Sequence, residues 1–374
     1  MISFYPDFFE ADVVRSLADA VRRGLFPAGH YTRLVEAMFQ AEMGADQILL
    51  TPSCTAALHM ALRLVPVGPG DEVLLPSFNF PSAATAVLLC GGVPVLCDVD
   101  PRTQNLSPAD AARRITARTK AVICVHYAAV ACDMDALAAL CRENGLSLIE
   151  DAAQAVDATW NGRFLGTLAR FGCYSFHATK VFSTGEGGAL LYGPADAERA
   201  QVYRDNGTNQ AAFLRGDCPA YAWQAPGESM RMSELGAAAL HPQLLRRGEI
   251  VKRRLSIHKA YDEGFREAAA RELLAPMHVP ANCVPNGHIY YVRFRDAAVR
   301  ARVKASLAER GISALTHYVS LHLSPMGASL GYAPDDLPES KRACETLLRL
   351  PIHEGMTEDQ AFFVAELVIK AADA

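Results

Sequence analysis

From about residue 48 the chain alternates short, continuous apolar runs with amphipathic stretches, and this rhythm limits the possible folds more than any other feature. QILLTP, DEVLLPS, VPVLCDVD, KAVICVHY and LSLIEDAA read as strands. Between them, CTAALHMALRLV, PSAATAVLLCG, SPADAARRIT and MDALAALCRENG read as helices, with Ser53 and Ser107 as N-caps and Gly145 ending the last. Strands that are apolar throughout, rather than alternating, are buried on both faces, which requires helices above and below a mainly parallel sheet. FGCYSFH and GGALLYG add two more strands, so the fold class predicted is α/β.

The character changes near residue 240. A single long helical stretch, LGAAALHPQLLRRGEIVKRRLSIHKAYDEGF, carries basic residues that read as a solvated face linking two domains rather than as a phosphate-binding surface. Beyond it, HIYYVRF, a helix near RARVKASLAERG and the closing TEDQAFFVAELVIKAADA predict a smaller α/β unit. The expected division is 1–240 for a large domain with an N-terminal arm and 241–374 for a small one. A chain of 374 residues with 51% hydrophobic content supports cores in both.

Bulk properties exclude several classes. With 36 basic and 41 acidic residues the net charge is −5, so no positive field attracts nucleic acid. The start, MISFYPDFFEADVV, lacks the basic n-region of a secretory leader, and the longest apolar run, ATAVLLCGGVPVLC, is too short and interrupted to span a bilayer. Ten cysteines occur without a CxxC pair, several inside apolar runs, which predicts free thiols and a reducing compartment, the cytoplasm. The eleven histidines are scattered without HExxH or His/Cys spacing, so no metal is expected.

Three segments carry chemistry. TPSCTAALHM turns from strand to helix with Ser53 and Thr55 at the helix start, which suits either a phosphate or an ordinary N-cap. IEDAAQA ends a strand, where α/β sheets bind ligands; Asp151 and Gln154 are placed to share a crevice, although Asp151 also fits a helix cap. SFHATK leads into the glycine-rich VFSTGEGGAL, and Lys180, set among small and apolar neighbours, reads either as a surface turn lysine or as a desolvated nucleophile toward carbonyls. Together, a phosphate seat, an acid for a ring nitrogen and a Schiff-base lysine match the needs of pyridoxal 5'-phosphate (PLP).

LTPSCTAALHMA, GDEVLLPSFNF, VHYAAVACDMDAL, EDAAQAV, SFHATK, GEGGAL, GTN and HYVSLHLSP resemble, in order, the motifs of the DegT/DnrJ/EryC1/StrS sugar aminotransferases, from about residue 20 to the C-terminus. The resemblance implies a fold-type I PLP-dependent transferase with a mostly parallel seven-stranded sheet. It implies transfer of an amino group from L-glutamate to the C4 ketone of dTDP-4-dehydro-6-deoxy-D-glucose, giving dTDP-4-amino-4,6-dideoxy-D-galactose, by a homodimer with shared active sites. UDP- or GDP-linked keto sugars aminated at C3 or C4 are the alternative, and a non-enzymatic regulator on the same fold the remote one. Relatives that remove a hydroxyl carry histidine in place of Lys180. A Rossmann oxidoreductase is disfavoured because GEGGAL lacks the GxGxxG spacing.

Residue by residue, the resemblance implies that Lys180 forms the Schiff base and shuttles the proton, and that Asp151 stays ionised and keeps the pyridine nitrogen protonated. Gln154 would bond the phenolic oxygen and Phe80 stack on the ring. Cys54 (through its backbone), Thr55 and Ser175 would bind phosphate. Arg231, in GESMRMSEL, would reach the neighbouring subunit's site, although Ser229 replaces the asparagine many relatives carry. His317, Tyr318 and His322 would border the substrate, with His322 equally suited to a structural role.

Overall fold

The computed structural model describes residues 2–4, 11–26 and 28–374; the leader-free reading of the N-terminus rests partly on residues 5–10, outside the described set. Seven strands form the main sheet in the order β1-β9-β8-β5-β4-β2-β3. They are β1 (Gln47–Thr51), β2 (Glu72–Pro76), β3 (Val93–Cys97), β4 (Thr119–Val125), β5 (Ser147–Asp151), β8 (Phe171–Ser175) and β9 (Gly188–Tyr192). Only β9 runs against the others, pairing antiparallel with both β1 and β8. Every other strand therefore ends on one edge of the sheet, with Thr51, Asp151 and Ser175 among the terminal residues.

The strand period sorts the apolar residues onto two faces. Ala121 and Ile123 of β4 pack under the helices Cys54–Leu64 and Ser82–Leu89, whereas Val122 and Cys124 face Met134–Glu143. Ser53 and Ser107 cap their helices as expected, accepting from Ala56 N–H (3.1 Å) and Asp110 N–H (3.3 Å).

A three-stranded sheet of β10 (Ala275–Pro276), β12 (Tyr290–Arg293) and β13 (Leu347–Leu350) lies in the C-terminal part. Its core includes Tyr290 stacked on Tyr261 at 4.7 Å. The short hairpin β6 (Thr159–Trp160) and β7 (Arg163–Phe164) pairs with β11 (Cys283–Val284), tying the later segment back to the large sheet's loops. No helix among the described residues is long and apolar enough to cross a membrane, and all ten cysteines are free.

One expectation is corrected. The helical stretch after residue 234 is two helices, Glu234–Leu245 and Arg247–Ala270, meeting at Arg246, whose N–H closes the first and whose carbonyl opens the second. Its basic residues are largely ion-paired: Arg246 with Asp12 (3.0 Å), Arg247 with Asp157 (3.2 Å) and Glu42, Arg253 with Glu249 (2.7 Å). Arg254 departs from a solvated face; it is buried, bonded to Glu354 (3.1 Å) and to the carbonyls of Gly287 and Ile352.

The end of β5 is braced by Glu150, which is fully buried. Its carboxylate accepts N–H bonds from Gly166, Leu168 and Ala169, each at 2.7 Å, and pairs with His126 Nε2 at 2.9 Å. Glu150→Gln would turn one acceptor into a donor facing N–H groups, so it should lower the unfolding free energy by about 2–4 kcal/mol, measured by urea denaturation.

Candidate active site

At the carboxyl edge of the sheet lies a cavity of about 550 Å³. One end is made of helix starts. Ser53 spends its side chain as a cap, so the amides of Cys54 and Thr55, which have no intrahelical acceptor at a first turn, open the helix toward the cavity. Thr55 Oγ1 bonds Ser82 Oγ (2.9 Å), which itself opens the next helix. Ser175 stands at the end of β8, its Oγ accepting from His177 N–H (3.3 Å). β9 can run directly beneath this helix start only because position 188 is glycine. A Cβ there would lie 2.4 Å from the Ser53 carbonyl carbon and 2.5 Å from Cys54 N. Small hydroxyls and unpaired amides thus form a seat for an anion.

Asp151 closes β5 facing the opposite way from Glu150, 5% exposed and lining the cavity. Burial raises its pKa, opposed by the Ala153 N–H (3.1 Å to Oδ1), Lys180 and His126. The nearby Cys54 thiol (3.9 Å) is pushed far up by burial and then by Asp151, so it stays neutral. Lys180 sits in the turn after β8, held by its own N–H to the His177 carbonyl (2.9 Å). Its side chain is half-buried in the cavity wall, and its amine has no hydrogen-bond partner among the described residues. Burial lowers its pKa, with Arg349 acting in the same direction and Asp151 against it. An amine with a depressed pKa, unpaired in a cavity, is a competent nucleophile.

Gln154 is buried, with Oε1 accepting from Ala128 N–H (2.7 Å) and Nε2 donating to Tyr318 OH (3.0 Å); one amide hydrogen is left for the cavity. Phe80 lines the same cavity and is 58% exposed; it precedes the helix Ser82–Leu89 rather than packing in a core. His317 and Tyr318 also line it, their rings stacked at 3.6 Å, with His317 Nδ1 held by Tyr127 OH (2.7 Å). Burial, then Arg349 and Lys180, drives the His317 pKa well below that of a free imidazole, so the ring is neutral.

Arg231 and His322 lie outside this chain's cavity, as the expectation for Arg231 of reaching a neighbouring subunit's site allows. Arg231 does not line its own chain's cavity; it is drawn to the buried Asp205 carboxylate (2.6 Å), which Arg204 shares (3.0 Å). His322 is 1% exposed and likewise outside the cavity, with Ser77 Oγ at 2.7 Å from Nδ1 and accepting the His322 N–H at 3.1 Å. This contact ties the segment Leu321–Leu323 to the end of β2. Sequence reasoning missed Asn79, Ser82, His288 and Arg349 in the cavity wall. Ser82, following PSFNFP at a helix start, carried a readable signal; His288 and Arg349 sit in strand-like apolar context and carried none.

Away from the cavity, Cys124, His126 and Cys132 approach within 4.8 Å of one another, a cluster that sequence spacing did not reveal. Both ring nitrogens of His126 are committed, Nε2 to Glu150 and Nδ1 to the Cys132 N–H (3.2 Å), which leaves no lone pair for a metal.

The cavity residues suit pyridoxal phosphate. An anion seat, a buried carboxylate wanting a cationic partner, and an unpaired amine converge on one space large enough for the ring. The fold is that of the PLP-dependent fold-type I transferases. Residues 9–369 match the model for the DegT/DnrJ/EryC1/StrS aminotransferase family, and the chain belongs to that family, whose cofactor is pyridoxal phosphate. It is 32% identical to dTDP-4-dehydro-2,3,6-trideoxy-D-glucose 4-aminotransferase of Saccharopolyspora spinosa, covering 100% of this chain and 97% of that one. It is also 32% identical to a pleiotropic regulatory protein of Geobacillus stearothermophilus, covering 96% and 93%. Among solved structures it is similar to S. venezuelae DesV in complex with a ketimine intermediate, with a TM-score of 0.90, 30% identity, and 100% and 99% coverage.

The placement of His322 has a direct test. His322→Ala should lower the unfolding free energy by about 1–3 kcal/mol, read by chemical denaturation, and leave the KM for both substrates unchanged.

Proposed function

We propose that this sugar aminotransferase moves the amino group of L-glutamate to the C4 ketone of dTDP-4-dehydro-6-deoxy-D-glucose, forming dTDP-4-amino-4,6-dideoxy-D-galactose. The observation that carries the transfer chemistry is the unpaired amine of Lys180 in the same cavity as the buried carboxylate of Asp151. The sugar is supported by the collinear motifs of the chain and by a relative named for amination at C4 of a dTDP-linked sugar. A UDP- or GDP-linked keto sugar is the second reading within the same chemistry.

Pyridoxal phosphate, when bound, supplies an electron sink for the carbanion at the reacting carbon. In this reading Cys54 N–H, the Thr55 hydroxyl and Ser175 Oγ hold its phosphate, and Phe80 covers a ring face. Asp151 would hold a proton on the ring nitrogen, whose positive charge would favour the ionised carboxylate that burial alone opposes. Gln154 offers its remaining N–H to the phenolic oxygen. Lys180 Nζ would hold the cofactor, and its free amine would move the proton at the donor's α-carbon. Glutamate and the keto sugar use the cavity in turn.

The exposed apolar side chains Leu25, Phe26 and Trp223 support a homodimer, in which Arg231 would serve the second subunit's site. The free cysteines support a cytoplasmic setting. Residues 1–240 and 241–374 are read as the large and small domains.

Hydride trapping followed by peptide mapping should place a pyridoxyl group on Lys180, and Lys180→Ala should lower turnover by at least about a thousandfold. Adduct on any other peptide overturns the assignment. A panel of dTDP-, UDP- and GDP-linked 4-keto sugars with L-glutamate, with products read by NMR, decides the substrate; amination of only the UDP or GDP sugars overturns the dTDP reading.

Asp151 yields a separate, opposed pair of effects. Without cofactor its raised pKa means the folded state holds the proton more tightly than the unfolded one. Folding stability is therefore lost as pH rises from its unfolded pKa through its folded pKa. Asp151→Asn should then raise the thermal midpoint of the cofactor-free protein at neutral pH while reducing turnover by about a hundredfold or more.

A further inference from the structure

From the end of β4 onward the chain carries a second set of reactive side chains, none of which lines the cavity of Lys180. Cys124 lies near the end of the strand, His126 just beyond it and Cys132 at the end of the loop that follows. Both sulfurs and an imidazole nitrogen lie within 4.8 Å of one another. His126 is oriented from behind: Nε2 faces the Glu150 carboxylate at 2.9 Å, and Nδ1 is 3.2 Å from the Cys132 amide nitrogen. A nucleophile, a base beside it and a carboxylate that fixes the base are the means by which a thiol is activated. The proton of Cys132 accordingly has two seats. On sulfur it points at the Val125 carbonyl, 3.1 Å away; on His126 it leaves a thiolate behind. Burial disfavours the thiolate, but the Cys124 S–H and then His126 outweigh it and bring the Cys132 pKa below that of a free thiol.

Cys132 also lines a cavity of its own, of about 340 Å³, walled in part by Asn105, Asp133, Trp160 and Cys283. Cys124 is fully buried and does not line it. Cys283, on the wall, has its pKa pushed up by burial. The thiols therefore differ in what they can do. Cys132 is activated and borders a space that a small molecule can enter. Cys124 stands behind it as a neutral thiol, its pKa raised by the contact with Cys132 and then by burial. The loop between the two is fastened by Asn105, which accepts the Tyr127 N–H (2.9 Å) and donates to the carbonyls of Val130 (3.0 Å) and Ala131 (2.9 Å). That loop also reaches the Lys180 cavity, because Tyr127 OH holds His317 and Ala128 N–H holds Gln154.

We propose that Cys132 is an oxidation site for small hydroperoxides entering this second cavity, with Cys124 as the thiol that resolves it. With hydrogen peroxide, the Cys132 thiolate attacks one oxygen. The S–O bond forms, the O–O bond breaks, and the leaving hydroxide takes the proton held on His126 and departs as water. Cys132 is then a sulfenic acid. Cys124 displaces its oxygen: the S–S bond forms, the S–O bond breaks, and a second water leaves. The two thiols lose two electrons and the peroxide gains them. In a reducing compartment such a disulfide is transient and is reopened by exchange with a dithiol. Forming it draws the sulfurs from non-bonded contact to about 2.05 Å, so the loop between them must move. Tyr127 and Ala128 move with it, and oxidation thereby loosens His317 and Gln154.

The test treats the full-length, cofactor-loaded enzyme with hydrogen peroxide, blocks the remaining thiols with N-ethylmaleimide and maps the peptides by mass spectrometry. The peptide holding Cys124 and Cys132 should lose two hydrogens, with the new bond between those residues, and dithiothreitol should reverse the change. In Cys124→Ser a 1,3-diketone probe should label Cys132, because the sulfenic acid has no partner; Cys132→Ser should show neither product. Oxidation should slow the L-glutamate half-reaction, read by cofactor absorbance, by about tenfold or more, and dithiothreitol should restore it. Cys132→Ser should keep its rate in peroxide. Cys132 still reduced in the parent enzyme when the half-buried Cys218 is oxidised overturns the site, and this result needs no variant to fold. A Cys124–Cys132 disulfide with an unchanged half-reaction overturns the link to the Lys180 cavity. The peptide mapping requires no amino donor, so its failure is distinct from failure of the function proposed above.

Discussion

The structure depends on the alternation of two neighbouring carboxylates at the end of β5. A strand sends successive side chains to opposite faces, so Glu150 and Asp151 meet different environments although both are buried. Glu150 meets three N–H groups and an imidazole, and this network fixes the loop from Gly166 to Ala169 against the sheet. Asp151 meets one N–H, a neutral thiol and open space. The first carboxylate is satisfied by the protein, and the second is left for something else. A one-residue shift in the register of β5 would exchange the two roles; its ladders to β4 and β8 and the bracing of Glu150 oppose it.

Much of this was legible from residue types. Continuous apolar runs identified the buried strands because a two-sided sheet leaves no polar alternation, and Ser53 and Ser107 marked helix starts by their capping chemistry. Lys180, Asp151, Gln154, Thr55 and Ser175 were visible because they end strands, open a helix or lie in the turns just beyond strand ends, where chain direction places side chains at one edge. Elsewhere the local signal was ambiguous. Arg231 lies in a polar segment that says nothing of Asp205, 26 positions earlier in the chain, whose buried carboxylate claims it. His322 sits in an aromatic-rich stretch bordering the cavity, yet its partner is Ser77, 245 residues away. Arg349 and His288 were invisible because a polar residue within a short apolar strand reads as an edge position; only the pairing of β12 with β13 brings both to the cavity.

The two sheets divide the chemistry between them. The large sheet supplies the amides, hydroxyls, carboxylate and lysine, from its strand ends and the turns and helix starts that follow them. The small sheet and its loops supply His288, His317, Tyr318 and Arg349, groups of neutral or positive character. Gln154 bridges the two, bonded to Ala128 on one side and Tyr318 on the other. Ala128 is held there at a positive φ of 55°, a left-handed conformation that a non-glycine residue adopts only under constraint.

The single reversed strand, β9, has a consequence of its own. Gly188 is paired with Thr51 on one side and Ser175 on the other, so one peptide row joins the strand before the helix start to the strand before Lys180. The span from the anion seat to the amine is thereby measured out in hydrogen-bonded strand spacings, each about 4.8 Å. Side chains in the surrounding core can drift through generations of substitution without lengthening that ruler, provided the residue at its midpoint never acquires a side chain.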